Sequence, residues 1–245
     1  MRPWGRNLRY FDIFLYTIHS DGPAESCMSV NSVMTPDRAS ASRIVDDPDL
    51  RFQSLSTFPL TPDSTPDAVV AHWVRGYLMR PHAELGRAGA VCPFTSASSR
   101  LDLLLVGSSR AKDEEEIFAI MGRAIEAFES ISCPSEQRQF RAVIVAFPQC
   151  VGGEGRARLK AVQNRLRPES IYRGKMIGLF DPQSPDRGLI NPAFRPLRAP
   201  VPLLAIRMLV EGDAPFVLRN PRLTPIYLIK FPFKGPLRLW SALWR

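Results

Sequence analysis

From residue 69 onward, apolar positions recur at helical spacing. Val69, Val70, Trp73, Val74, Tyr77 and Leu78 fall on one face behind Thr65-Pro66-Asp67, a helix-start signal, and Pro81 ends the helix. Leu101–Gly107 is a short aliphatic run closed by Gly, the pattern of a buried strand. The clearest helix covers residues 113–130. Ile117, Ile120, Met121, Ala124, Ile125 and Phe128 line one side of it, and the acidic run 113–116 sits at the positive end of its dipole.

The pattern continues with Ala142–Phe147, a second buried strand closed by Pro148. Gly155–Arg167 is amphipathic, with Leu159, Val162 and Leu166 opposite a basic side expected to face water. A third strand is expected over 171–180, a helix over about 201–212 behind Pro200 and Pro202, and a strand over Ile226–Phe231. Strands and helices alternate, but their connections are irregular and no dinucleotide-type glycine fingerprint follows the first strand. The expected class is α+β: a mixed or antiparallel sheet packed with helices, forming a single domain over 67–245. Residues 35–66 are rich in Ser, Thr, Pro and Asp, so 1–66 is expected to be a disordered extension. Met28 and Met34 lie downstream of an atypical start, so residues 1–27 are expected to be dispensable.

Composition changes the picture little. A length of 245 residues buries a real core, and no apolar run approaches the roughly 18–20 residues of a membrane span. No membrane partner is therefore expected. The net charge of +8 is concentrated after residue 66, because residues 1–66 hold 6 Arg and 8 Asp/Glu. Of the 32 basic residues 27 are Arg, a bias typical of a GC-rich bacterial genome, and they are scattered. Nucleic acid is an unlikely partner, and a small anionic ligand fits better. Cys27, Cys92, Cys133 and Cys150 form no C-x-x-C pair and no disulfide framework, which fits a reducing cytoplasm and excludes a zinc site of the usual spacing.

Two dense blocks of Gly, Pro, Arg, His, Cys and Asn carry the candidate chemistry. In the first, 81–94, Gly86 and Gly89 permit unusual backbone shapes, and Pro93 holds Cys92 extended. Cys92 is open to three readings: a nucleophile, a soft metal ligand, or a small buried hydrophobe before Phe94. His82 is the better placed of the two nearby histidines, His72 being on the helix. The second block contains Asn191-Pro192-Ala193-Phe194-Arg195-Pro196-Leu197-Arg198. Arg195 and Arg198 are either a carboxylate or phosphate clamp, together with Asn191 and Arg87, or they lock the loop by pairing with Asp181, Asp186, Glu211 or Asp213. The loops 82–94 and 181–200 are expected to meet in one composite pocket.

These motifs, together with Met176-Ile177-Gly178-Leu179-Phe180 and Pro200-Val201-Pro202-Leu203-Leu204-Ala205-Ile206-Arg207, resemble a bacterial family known as domain of unknown function 6875, over roughly 67–232. That resemblance implies domain limits and no activity. The layout of helix, Cys-Pro-Phe turn, strand, helix and strand is also similar to YqcI/YcgG-type proteins. That likeness implies a haem-dependent oxygenase acting on an amino-acid-like substrate, with Cys92 or His82 on the iron and Arg195 and Arg198 holding the carboxylate. The alternative is a non-catalytic binding or scaffolding protein in which both blocks are architectural. Oligomeric state is open.

Overall fold

A computed structural model describes residues 50–61, 63–218 and 223–243. Its centre is a five-stranded mixed sheet: β1 (Gln53–Ser54), β2 (Leu104–Ser108), β3 (Ala142–Ala146), β4 (Lys175–Phe180) and β5 (Leu203–Met208), in the spatial order β1-β2-β3-β5-β4. A short helix, α2 (Thr95–Arg100), precedes β2, and parallel β2 and β3 are joined through α3 (Glu114–Ser130). From β3 the chain passes through α4 (Gly152–Tyr172) to β4 at the sheet edge. It then returns by the long 181–202 connection, which inserts β5 antiparallel between β3 and β4. The class is α+β, as expected.

Alternation along the strands sorts the core onto two faces. Val143, Val145, Ile177, Leu179, Leu204 and Ile206 face α3 and α4, where Ile117, Ile120, Met121, Phe128, Leu159 and Val162 meet them. Leu104, Val106, Ile144, Ala146 and Leu203 face the other way, under α1 (Pro66–Trp73). A third cluster joins Ile171 and Met176 to the short C-terminal helices α5 (Ala214–Leu218), α6 (Thr224–Lys230) and α7 (Gly235–Leu243).

Two expected elements are corrected. The segment 201–212, expected as a helix, holds β5; the one at 226–231, expected as a strand, is α6. A strand covered on both faces reads as a continuous apolar run, which periodicity cannot separate from a buried helix. In 226–231 the apolar run bonds within itself, with Phe231 N–H on the Tyr227 carbonyl, and packs beside the sheet instead of extending its β4 edge. Tyr227 points inward and fully buried, while Ile229 points out. Two boundaries also move. α4 runs through Pro168 to Tyr172, because Leu166 and Ile171 on either side of the proline are buried, and β4 accordingly starts at Lys175.

The sheet reaches further toward the N-terminus than the boundary expected at 67. β1 pairs with β2, and Leu55 is buried under α1. The Arg75 guanidinium donates to the carbonyls of Leu55, Phe58 and Pro59, tying this segment down. Residues 1–49 of the expected extension, including Cys27 and the alternative starts, lie outside the described residues. The basic side of α4, expected in water, is instead engaged with neighbouring elements. Arg156 meets Asp181 and Asp186, Arg158 reaches the Lys112 carbonyl, Arg165 lies 3.8 Å over the Phe118 ring, and Arg167 reaches the Phe216 carbonyl.

Candidate functional site

After α1 the chain continues as one π-helical turn, Val74–Leu78, with the Met79 N–H reaching back to the Val74 carbonyl at 3.0 Å. This widened turn sets Tyr77 beside the first block; such turns are frequent at functional sites. The block is a closed excursion. Val91 N–H donates to the Arg80 carbonyl and Cys92 N–H to the Leu78 carbonyl, each at 2.9 Å. Within it, His82 Nδ1 accepts from Glu84 N–H at 3.2 Å and caps a single 3-10 turn, Ala83–Leu85. Gly86 leaves that turn at φ +75°, the left-handed region that suits glycine. The Arg87 guanidinium donates to the carbonyls of Ala88 at 3.0 Å and Val91 at 3.1 Å, closing the loop on itself.

The second block is anchored at Asp181, which is buried. One of its carboxylate oxygens accepts from Gln183 N–H and the other pairs with Arg156. Further along, Asn191 Oδ1 accepts from Ala193 N–H at 3.0 Å, and one terminal nitrogen of Arg195 donates to the carbonyls of Pro192, Ala193 and Phe194. Asp181 and Asp186 face Arg156, and Asp213 pairs with Arg207. Three of the four acids expected beside Arg195 and Arg198 are therefore engaged elsewhere.

The two blocks touch. Asn191 Nδ2 donates to the Glu84 carbonyl at 2.8 Å across 107 positions of sequence. The His82 and Phe194 rings stack at 4.6 Å, and a Cβ on Gly86 would stand 2.7 Å from Ile190 Cγ2. From His82 a row of rings runs toward the sheet. Tyr77 meets His82 edge-on at 5.9 Å, Trp73 stacks on Tyr77 at 5.7 Å, and Phe180 meets Trp73 edge-on at 5.7 Å. The Tyr77 hydroxyl donates to the Pro196 carbonyl at 3.3 Å, and burial, with the Glu84 charge, pushes its pKa up.

The six residues singled out from the sequence thus divide. Arg87, Asn191 and Arg195 direct hydrogen bonds to loop backbone. The Arg198 N–H donates to the Arg195 carbonyl at 3.3 Å, but its exposed side chain has no hydrogen-bond or ion-pair partner among the described residues. Cys92 is half-buried against the cluster under α1 and lies within electrostatic reach of Arg207. His82 uses Nδ1 as an acceptor, so its neutral ring carries the proton on Nε2. Among the described residues no group of three or more His, Cys, Asp or Glu is placed to hold a metal ion.

Sequence reasoning passed over a second feature. An open cleft of about 510 Å³ lies beyond the carboxyl ends of parallel β2 and β3, lined by Thr65, Asp67, Ser108, Ser109, Arg110 and Gln149 among others. Its available signal was Gly107-Ser108-Ser109-Arg110, small and polar residues directly after a buried strand. Arg110 is exposed there, and Asp67 lines the same cleft.

A five-stranded mixed sheet with helices on both faces and two interlocked loops at one side defines an α+β domain with a composite loop seam. The chain belongs to the family described as Domain of unknown function (DUF6875), which matches residues 67–239. No curated protein and no solved structure matches the chain. No helix among the described residues is long and apolar enough to cross a membrane.

Proposed function

We propose that this domain binds a small anionic, amino-acid-like ligand at the seam between the 82–94 and 181–200 loops. The observation that carries the reading is the interlock itself: the Asn191–Glu84 hydrogen bond and the His82–Phe194 stack hold two distant loops in one rigid arrangement. Rigid loops on a packed scaffold are suited to preorganised recognition. In this reading Arg87, Asn191 and Arg195 position the backbone. The ligand is met by His82 Nε2–H and the Arg198 guanidinium, both donors suited to a carboxylate, with the Trp73 and Tyr77 rings as an apolar wall.

A catalytic form of the proposal places chemistry on Cys92, half-buried against the cluster under α1. Haem ligation through His82 does not suit the geometry. An iron ligand at Nε2 needs its lone pair there and a proton on Nδ1, where Glu84 N–H already donates. Cys92 is the sulfur that an oxygenase reading would require. A Soret band in protein expressed with haem precursor, lost in Cys92→Ser, would restore that reading.

A scaffolding role is the second reading, favoured by three of the six candidate side chains being committed to main-chain carbonyls. Thermal-shift titration with amino acids, dicarboxylates and phosphate separates the two. Binding predicts that a ligand raises the melting temperature, that Arg198→Ala weakens this about tenfold without changing the unliganded melt, and that Arg195→Lys lowers the melt itself. No response to any of these ligands in the wild-type protein would leave only the scaffold.

A further inference from the structure

The C-terminal helices present an outward stripe that the loop seam does not use. Ile229, Phe233, Leu237 and Trp240 are 79%, 90%, 72% and 65% exposed. Ile229 lies on α6, Phe233 in the turn that follows, and Leu237 and Trp240, three residues apart, on α7. Phe231, at φ −129° and ψ 63°, ends α6, and the turn is held by Phe231 N–H on the Tyr227 carbonyl, Gly235 N–H on that of Phe231 and Arg238 N–H on that of Lys234. The opposite side, with Tyr227 and Leu239, packs into the third core cluster. The stripe therefore lies on the outer side of helices whose inner side is packed. Four large side chains protruding together are more than a folded surface of scattered apolar residues presents.

Charge tells what such a face meets. Beyond Asp213 the chain holds no acidic residue and six basic ones: Arg219, Arg222, Lys230, Lys234, Arg238 and Arg245. Lys230 and Lys234 are exposed and immediately follow Ile229 and Phe233. Lys230 Nζ lies 3.5 Å from where a Cβ on Gly174 would sit, which puts the basic rim beside the α4–β4 turn and the exposed ring of Tyr172. Of the acids nearby, Glu169 is paired with Arg173, and Glu211 lies beside the buried Tyr227, whose hydroxyl donates to its carbonyl. Asp213 is buried against Arg207.

We infer that this face docks on an anionic lipid surface, lying in the interface with Phe233, Leu237 and Trp240 among the acyl chains and the lysines at the headgroups. Apolar and aromatic residues flanked by Lys and Arg on an amphipathic element are the signature of that geometry, which needs no membrane span. Docking of a second copy through the same face would bring two basic rims together, and like charges oppose it.

The test is co-sedimentation of the full chain with vesicles of phosphatidylcholine alone and of phosphatidylcholine mixed with phosphatidylglycerol. The protein is expected to partition to the mixed vesicles and not the neutral ones, and to be released at about 1 M salt, where the screening length falls to about 3 Å. Lys230→Gln and Lys234→Gln should each weaken partition by about fivefold. The pair Phe233→Ser and Leu237→Ser, both on exposed side chains, should weaken it tenfold or more while the melting curve stays unchanged. No partition to the mixed vesicles overturns the inference. So does undiminished partition of both sets of variants, which would move the contact elsewhere. A dimer in sedimentation velocity that Phe233→Ser dissolves would overturn it in favour of a contact between copies.

Discussion

Gly86→Ala perturbs the seam at its tightest point. Gly86 sits at φ +75°, where an L-residue with a Cβ is strained by about 1–2 kcal/mol. The new Cβ would also stand 2.7 Å from Ile190 Cγ2 and 3.3 Å from Ile190 Cβ, across the junction of the two loops. Ile190 is β-branched and stiff, so relief requires moving loop backbone, at about 1–3 kcal/mol for overpacking. The sum is ~2–5 kcal/mol. Gly89→Ala is the control. Its φ of +90° carries a similar backbone penalty, but the nearest atom to its Cβ is Arg87 Nη1 at 3.6 Å, ordinary contact. Gly86→Ala should therefore destabilise by ~1–3 kcal/mol more than Gly89→Ala. Urea unfolding at equilibrium measures the difference, with the denaturant slope checked for constancy. Adding Ile190→Ala should recover the steric part and leave the backbone part, a coupling that a double-mutant cycle isolates. Equal losses for the two alanine variants, with no coupling to Ile190, would refute the interlock of the blocks.

Other outcomes follow from side chains around the core. Burial, with the Glu211 and Asp213 charges, pushes Tyr227 up to about 12, and its hydroxyl donates to the Glu211 carbonyl at 2.6 Å. The unfolded tyrosine ionises near 10 and the folded one later, so its contribution is intact below pH 10 and is lost as pH rises toward 12. Tyr227→Phe should abolish up to about 2–3 kcal/mol of that alkaline fall in stability, measured by denaturation at a series of pH values. Arg75→Ala removes a charged donor from three carbonyls and should cost about 1–3 kcal/mol, with protease cleavage appearing within 50–60 first. Burial pushes the Cys150 thiol up, and its Sγ points to the Ala111 carbonyl at 3.6 Å. Cys92 and Cys133, both half-buried, should therefore alkylate in the native protein well before Cys150, as read by mass spectrometry of peptides.

The sequence by itself determined the elements whose pattern is local. α1 with its Thr65-Pro66 start, α3 with its single apolar face, and the strands at 104–108 and 142–146 are written in spacing and capping, because a helix or short strand shows its buried side through its own residues. The two Gly-Pro-Arg blocks were visible for the same reason, as rigid local chemistry. What the tertiary structure decided is everything that depends on partners far along the chain. Leu203–Met208 became a central strand only because β3 and β4 both offer it hydrogen bonds, whereas 226–231 is a helix that buries Tyr227 in the cluster of Ile171 and Met176. The arginines were legible as residues but not as roles. Whether Arg195 meets an acid, its own loop carbonyls or a ligand is set by where the 181–202 connection lays each group, and a guanidinium takes whichever acceptors the fold brings within reach. The Asn191–Glu84 contact across 107 positions is the clearest case. Neither residue carries any local sign of the other, and only the insertion of β5 beside β3 carries the second loop back over the first.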